Sequence, residues 1–268
     1  MQAAREAATY LKNHGFKKPD VAIILGTGLG QAFVNKLDVL SSVHYRNIPN
    51  FPSSTVQSHR GQLLFGKMFG KNILVMQGRV HYYEGYKMEQ VTFPVQVMKE
   101  LGVKNLIVTN AAGNLNLDWH KGDVMLIEDH INYQPSSPLQ GRKMTEEKLR
   151  GFAFPYNHSL LKIAKSAAKK NKITLREGVY VSVAGPTLET RAEYKFFRFI
   201  GGDVVGMSTV PEVLMAKALE INVWGFSVLT NDCDPDNLKA VALSEIVDTA
   251  LRAEEKLTKL LISIIKKI

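Results

Sequence analysis

The chain has 268 residues, 45% hydrophobic and 22% charged, an ordinary globular composition with enough apolar material for one sizeable core. A formal net charge of +9 admits nucleic acid, an anionic membrane surface or an anionic small substrate. The short clusters Lys17-Lys18, Lys169-Lys170 and Lys266-Lys267 have no interleaved aromatics, however, and read as solvated helix faces. One cysteine, Cys233, excludes an intrachain disulfide, and no signal-peptide pattern or run of roughly 20 apolar residues is present, so a cytoplasmic setting without nucleic acid or membrane partners is expected.

Taken in chain order, an amphipathic helix is predicted over 3–13, followed by the apolar strand Val21–Leu25. Gly26-Thr-Gly-Leu-Gly30 comes directly after it. Its glycines let backbone amides approach an anion, and Thr27 adds a hydroxyl. The run has neither the Walker nor the dinucleotide spacing, and a simple tight turn is the competing reading. Strands are predicted over 61–65 and 73–77. The second leads into Gln77–Tyr86, QGRVHYYEGY, which gathers Arg79, His81, Tyr82, Tyr83 and Glu84. Arg79 offers a planar fork suited to phosphate or carboxylate, and His81 points the same way if the backbone stays extended. A polar turn under an aromatic cover is the alternative.

A helix over 88–101 precedes a strand over 105–109, whose end, Thr109-Asn-Ala-Ala-Gly113, has side chains small enough to leave amides open to a ligand or to allow close helix packing. A further strand covers 123–128. Residues 134–157 form the longest irregular stretch, either a functional loop or a surface excursion. A helix over 158–170 and a strand over 178–184 follow. Then comes Ala184-Gly-Pro-Thr-Leu-Glu-Thr190, where Glu189 either accepts ring N–H donors or simply opens the helix predicted over 190–199. A strand over 203–206 leads into Gly206-Met-Ser-Thr-Val-Pro-Glu212, with Met207 and Ser208, and a helix over 211–219. A strand over 223–229 ends in Leu229-Thr-Asn231, whose amide both donates and accepts. The last helix, 244–267, carries an apolar stripe, with Ser244 and Glu245 as its start. Strands alternating with helices predict an α/β fold around a parallel or mixed sheet. No HExxH or HxH spacing and no GxSxG elbow occurs, so no metal site is expected.

The motifs GTGLG, Ile48-Pro-Asn-Phe-Pro52 with Ser58-His59, QGRVHYYEGY, TNAAG, Asp129-His-Ile-Asn132, VAGPTLET, GMSTVPE and LTN stand in one order from about residue 20 to the C-terminus. Together they closely resemble the trimeric class of purine nucleoside phosphorylases. The resemblance implies a single domain over residues 1–268 with a mixed, partly barrel-like sheet flanked by helices, assembled as a homotrimer. It also implies reversible phosphorolysis of purine nucleosides, with inorganic phosphate as co-substrate and no cofactor.

Carried over motif by motif, the phosphate site is Thr27, His59, Arg79, His81, Ala111 through its backbone amide, and Ser208. The ribose lies against Tyr83 and Met207, with Phe154 reaching in from a neighbouring subunit. Glu189 and Asn231 read the base beside Leu188, and Asn231, Glu189 and His81 form the catalytic set. Two positions depart from the family pattern. Leu188 stands where a pocket aromatic is usual, and Leu243 or Ser244 stands where a histidine usually meets the sugar 5′-hydroxyl. Asn231 is also followed by Asp232, Cys233 and Asp234, and acidic residues in this loop serve adenine readers in the related methylthioadenosine phosphorylases. The expected substrates are inosine, guanosine and their deoxy forms, with a 5′-methylthio purine nucleoside as the alternative. A non-catalytic purine or nucleic-acid binder is a second class of reading, opposed by the retained Arg79, His81 and Ser208, and a nucleosidase that uses water is a third.

Overall fold

The computed structural model describes residues 2–55 and 60–268. The strands are β1 Val21–Leu25, β2 Asp38–His44, β3 Gln62–Met68, β4 Lys71–Gln77, β5 Asn105–Asn114, β6 Val124–Asn132, β7 Leu175–Ser182, β8 Val204–Gly206 and β9 Asn222–Asp232. The helices are α1 Gln2–Asn13, α2 Gln31–Val34, α3 Met88–Val91, α4 Phe93–Glu100, α5 Glu146–Gly151, α6 His158–Lys170, α7 Arg191–Phe199, α8 Val210–Ala218 and α9 Leu243–Ile265.

All the strands join one mixed sheet in the order β2-β3-β4-β1-β5-β8-β7-β6-β9, and a further pairing of β9 with β5 closes the last five into a ring. This is the expected α/β fold with a mixed, partly barrel-like sheet. β1 is buried at every position and lies parallel to both β4 and β5, as a central strand covered on both faces must. The main core runs through these strands into α1, α4, α6, α8 and α9. α9 presents Leu257, Leu260, Leu261, Ile264 and Ile265 to it at helical spacing.

The branch in the sheet positions the site. β5 pairs with β1 only as far as Val108, and with β8 only from Gly113. Between them, residues 109–112 have a strand neighbour, β9, on one side only. Alternation along a strand sends the backbone groups of Thr109 and Ala111 to the open side. In agreement, the Thr109 carbonyl accepts from Arg79, whereas the Ala112 carbonyl accepts from Thr230 in β9.

The structure differs from the sequence expectation in several elements. β2 is an additional strand: it is an antiparallel edge, largely exposed and without an apolar run, so its pattern carried no strand signal. α5 forms inside the stretch 134–157, capped where the Thr145 hydroxyl accepts from Lys148 N. β5, β6 and β9 extend past their apolar segments because ladder pairing continues through polar residues. α9 starts at Leu243, one residue before Ser244, and its N-cap is Ala242 without a side-chain bond.

Candidate active site

A cavity of about 410 Å³ opens at the branch point. The end of β4 contributes Arg79, His81 and Tyr83, the turn after β1 contributes Gly26 and Thr27, and the open stretch of β5 contributes Asn110, Ala111, Ala112 and Gly113. Gly206, Met207 and Ser208 enter from between β8 and α8, Leu188 and Glu189 from the loop before α7, and Thr230 and Asn231 from the end of β9. Val241, Leu243 and Ile246 complete the wall. A wider cleft of about 1040 Å³ adjoins it through Thr230, Asn231 and Val241. Its lining is of mixed sign, and Lys121 lies 3.7 Å from Asp232 across it.

Arg79 is the anchor of the polar end and is 2% exposed. Its Nη1 donates to Ser208 Oγ at 2.8 Å and its Nη2 to the Thr109 carbonyl at 2.6 Å. Nε lies 3.3 Å from Glu212 Oε1, forming a buried ion pair with the first turn of α8. A guanidinium held on three sides keeps a fixed orientation, and the pairing offsets the cost of burying its charge.

Thr209, wholly buried, has φ 71° and ψ −56°, and Val210 N donates to the Ser208 carbonyl at 2.8 Å. This is a three-residue turn of strained hand at a β-branched residue. Its surroundings hold it in place. Asn110 Nδ2 donates to Thr209 Oγ1 at 2.9 Å, Arg79 Nη1 approaches the same oxygen at 3.4 Å, and Ser208 N donates to Tyr180 Oη at 3.3 Å. The strain aims the Ser208 hydroxyl at Arg79 and places it on the cavity wall.

His81 has a fixed tautomer. Its Nδ1 is 3.0 Å from Glu84 Oε1, which also accepts from the His81 backbone amide at 2.7 Å. The other carboxylate oxygen accepts from the Thr55 amide and hydroxyl at 2.6 and 2.7 Å. Burial pushes the Glu84 carboxyl up, but hydrogen bonds from the His81 ring, Thr55 and the His81 amide outweigh it and hold the group at about 2. Glu84 is therefore an anion that fixes the proton on Nδ1. The His81 ring stacks on Tyr83 with centroids 4.8 Å apart. Burial, then the Glu84 charge, pushes the Tyr83 phenol up to about 12, opposed by Arg79.

Elsewhere on the cavity wall, burial pushes the Glu189 carboxyl up, with hydrogen bonds from its own amide and from Tyr194 pulling the other way. The Asn231 amide is held at both ends. Thr230 Oγ1, which shares its one hydrogen between the Ala112 carbonyl and this amide, lies 3.1 Å from Oδ1, and Nδ2 donates to Cys233 Sγ at 3.3 Å. Gly185 has φ 68°, and a Cβ there would collide with Met207 and come within 3.0 Å of Tyr83. The glycine thus lets Met207 and Tyr83 share one wall.

Thr27, Arg79, His81, Ala111 and Ser208, expected to meet phosphate, all line this cavity, as do Tyr83, Met207, Leu188, Glu189 and Asn231. Phe154 does not line it. It is 68% exposed, and its carbonyl accepts from Lys217 Nζ. His59 lies outside the described residues. Sequence reasoning gave no role to Glu84, Asn110, Thr209, Glu212 or Tyr194. Glu84, Thr209 and Glu212 fall inside motifs already singled out, so their company was the available signal. Asn110, inside TNAAG, had the same signal, and Tyr194 carried none beyond residue type.

The phosphorylase superfamily model matches residues 20–266. The chain belongs to the phosphorylase superfamily, among its purine nucleoside phosphorylases. Purine nucleoside phosphorylase 1 of Geobacillus stearothermophilus is 46% identical to this phosphorylase over 85% of the chain and 84% of its own length. The purine nucleoside phosphorylase of Rattus norvegicus is 43% identical over 94% and 90%. A crystal structure of a schistosoma purine nucleoside phosphorylase in complex with hypoxanthine superposes with a TM-score of 0.89 at 34% identity, over 100% of this chain and 98% of that one.

Proposed function

We propose that this phosphorylase catalyses the reversible phosphorolysis of 6-oxopurine ribonucleosides and deoxyribonucleosides, inosine and guanosine first among them. One observation carries this reading: a single cavity is lined both by the buried Arg79, Ser208 and His81 and by Glu189 and Asn231. The first set suits inorganic phosphate, with Thr27 and the Ala111 amide adding donors and His59 as a further candidate. The second suits a purine. Tyr83 and Met207, neighbours across Gly185 on the same cavity, suit the pentose. No cofactor enters the chemistry, and phosphate is the co-substrate.

The reaction follows from that arrangement. A phosphate oxygen attacks C1′ as the C1′–N9 bond breaks, and the electron pair leaves with the purine. Positive charge develops on the sugar, next to the phosphate dianion, and negative charge on the base. Holding phosphate against C1′ removes much of the entropic barrier. The Asn231 amide, already fixed by Thr230 and Cys233, donates a hydrogen bond to the departing purine at no reorganisation cost. Glu189 as a carboxylate accepts the ring N–H of a 6-oxopurine. Adenine has no such proton and leaves the acceptor unpaired. Inosine turnover with and without inorganic phosphate, followed as hypoxanthine and pentose 1-phosphate, tests the reading. Both products appear only with phosphate if it holds, and hypoxanthine release in phosphate-free buffer overturns it in favour of hydrolysis.

A second reading of specificity is favoured by Val241, Leu243 and Ile246, which give one wall of the same cavity an aliphatic character. An apolar 5′ substituent, as in 5′-methylthioinosine or 5′-methylthioadenosine, would gain there what a hydroxyl would lose. A clear preference for either methylthio nucleoside over inosine selects this alternative.

A further inference from the structure

Helices α7 and α8 both open on the sequence of a capping box, a threonine followed three residues later by a glutamate. Thr190-Arg-Ala-Glu193 forms the box. The Glu193 amide donates to the Thr190 hydroxyl at 3.3 Å, and the Thr190 amide donates to the Glu193 carboxylate at 2.7 Å. Thr209-Val-Pro-Glu212 does not form one. The Thr209 hydroxyl instead accepts from Asn110 Nδ2, with Arg79 Nη1 at 3.4 Å, and Glu212 Oε1 lies 3.3 Å from Arg79 Nε. A local signal overridden in this way marks groups that serve something other than their own helix.

Glu212 is 2% exposed, and its Oε2 is buried with no hydrogen-bond partner among the described residues. A buried carboxylate so sparsely hydrogen-bonded depends on the charge beside it, and that charge is the Arg79 guanidinium. The turn at Thr209 lets the start of α8 approach this guanidinium twice, with Ser208 Oγ at Nη1 and Glu212 at Nε. Arg79 and Ser208 are among the residues that line the cavity and Glu212 is not. A ligand there meets the guanidinium and the hydroxyl, and feels the carboxylate only through its field.

We propose that Glu212 is a positioning residue for phosphate, a buried counter-charge that balances Arg79 before phosphate arrives and thereby limits how tightly phosphate binds. The proposal rests on the reading that Arg79 and Ser208 meet phosphate. The sign follows from the charges. Arg79 and Glu212 alone form a neutral pair, so the guanidinium is not left uncompensated in the interior. Once phosphate is bound, two anions share one guanidinium and repel each other through a medium far less polar than water. Glu212 therefore stabilises the ligand-free protein and opposes phosphate binding. Moderate affinity suits a reversible reaction, because the sugar phosphate must leave the same donors that hold phosphate. A glutamate that only gripped Arg79 would have the opposite effect, since its loss would loosen the guanidinium and weaken phosphate binding.

The test uses the full-length protein, calorimetric titration with inorganic phosphate in the absence of nucleoside, and thermal melting with and without phosphate. Glu212→Gln keeps the shape and an oxygen for Nε and removes the charge. Its phosphate Kd is expected to fall about tenfold, the effect of removing one nearby like charge from the interior. Its melting temperature is expected to drop in phosphate-free buffer, where Arg79 is left unbalanced, and to recover most of that loss at saturating phosphate. An unchanged or raised Kd, with the same loss of melting temperature in both buffers, overturns the proposal. Should Glu212→Gln fail to melt cooperatively even with phosphate, Glu212→Asp decides. It keeps the charge and withdraws it from Nε by one methylene, so a Kd at or below the wild-type value supports the counter-charge and a raised Kd overturns it. Wild-type protein that binds no phosphate overturns the phosphate reading, and this proposal with it. Wild-type protein that binds phosphate as tightly as Glu212→Gln overturns this proposal alone.

Discussion

A side chain in this site acts through the group that holds it. His81 and Glu84 show this most directly. Glu84 fixes the His81 ring and also accepts twice from Thr55, so one carboxylate sets a ring orientation and anchors a loop. Its pKa is lowered from 4.5 to about 2 on folding. A carboxyl with a depressed folded pKa contributes stability that is complete above the unfolded value and is lost as pH falls through the folded one. The melting-temperature gap between wild type and Glu84→Gln is therefore expected to be full above pH 4.5 and to close as pH falls toward 2. Calorimetry across that range checks it, and a gap constant with pH would show that the carboxylate charge is not the cause. The same substitution should raise KM for phosphate by freeing the ring. For Asn231→Ala, removal of a preorganised donor to the leaving base should lower kcat by about 100-fold, measured as purine release. Most of these residues were legible because chemistry-bearing types sit immediately after apolar strands. Thr209 was not. Its left-handed backbone is imposed by Arg79, Asn110 and Tyr180, all remote in sequence.

Elements fix the loops that carry these groups. α9 is the clearest case, because its role is not confined to its apolar stripe. Glu254, buried in the fourth turn, accepts from the backbone amides of Gly30 and, at 2.9 Å, Ala32. The segment after GTGLG is thereby fastened to the C-terminal helix. Gly28, with φ 68°, lies where a Cβ would stand 2.9 Å from Ala250 Cβ of the same helix. Glu254→Ala should lower unfolding free energy by about 2 kcal/mol, since two amides lose a charged acceptor. A urea titration measures this, and an accompanying rise in phosphate KM would show that the fastening reaches Thr27. Periodicity made α9 visible as an apolar helix, but a glutamate on the buried side of a helix looks like a misplaced surface residue until its partner is seen. β2 was hidden for the converse reason. An edge strand with six of seven positions at least partly exposed has no apolar alternation to detect.

For the whole molecule, the ring of β5, β8, β7, β6 and β9 has one consequence that local pattern never shows. The β5–β9 pairing joins segments more than a hundred residues apart, so closure was not legible, although the α/β class and the order of site motifs were. Assembly lies at the same scale. Phe154, 68% exposed and not among the residues lining the cavity of its own chain, is expected to complete a neighbour's sugar site in a trimer. Sedimentation should give three times the chain mass, and Phe154→Ala should raise KM for inosine while leaving kcat near wild type. A monomer with wild-type turnover would remove both expectations.

The fork in the sheet also predicts how the molecule breathes. β5 is laddered to β9 along its whole length, to β1 at its start and to β8 at its end, so its amides outside the open stretch have no shorter route to solvent than loss of the entire sheet. In deuterated buffer, most amides of 105–114 and 222–232 should exchange last and together, at the rate of global unfolding. The Ala111 amide, facing the open side, should stand apart as a fast-exchanging position within the slowest strand. Its slowing on addition of phosphate alone would make it a reporter of that end of the cavity, read without any turnover.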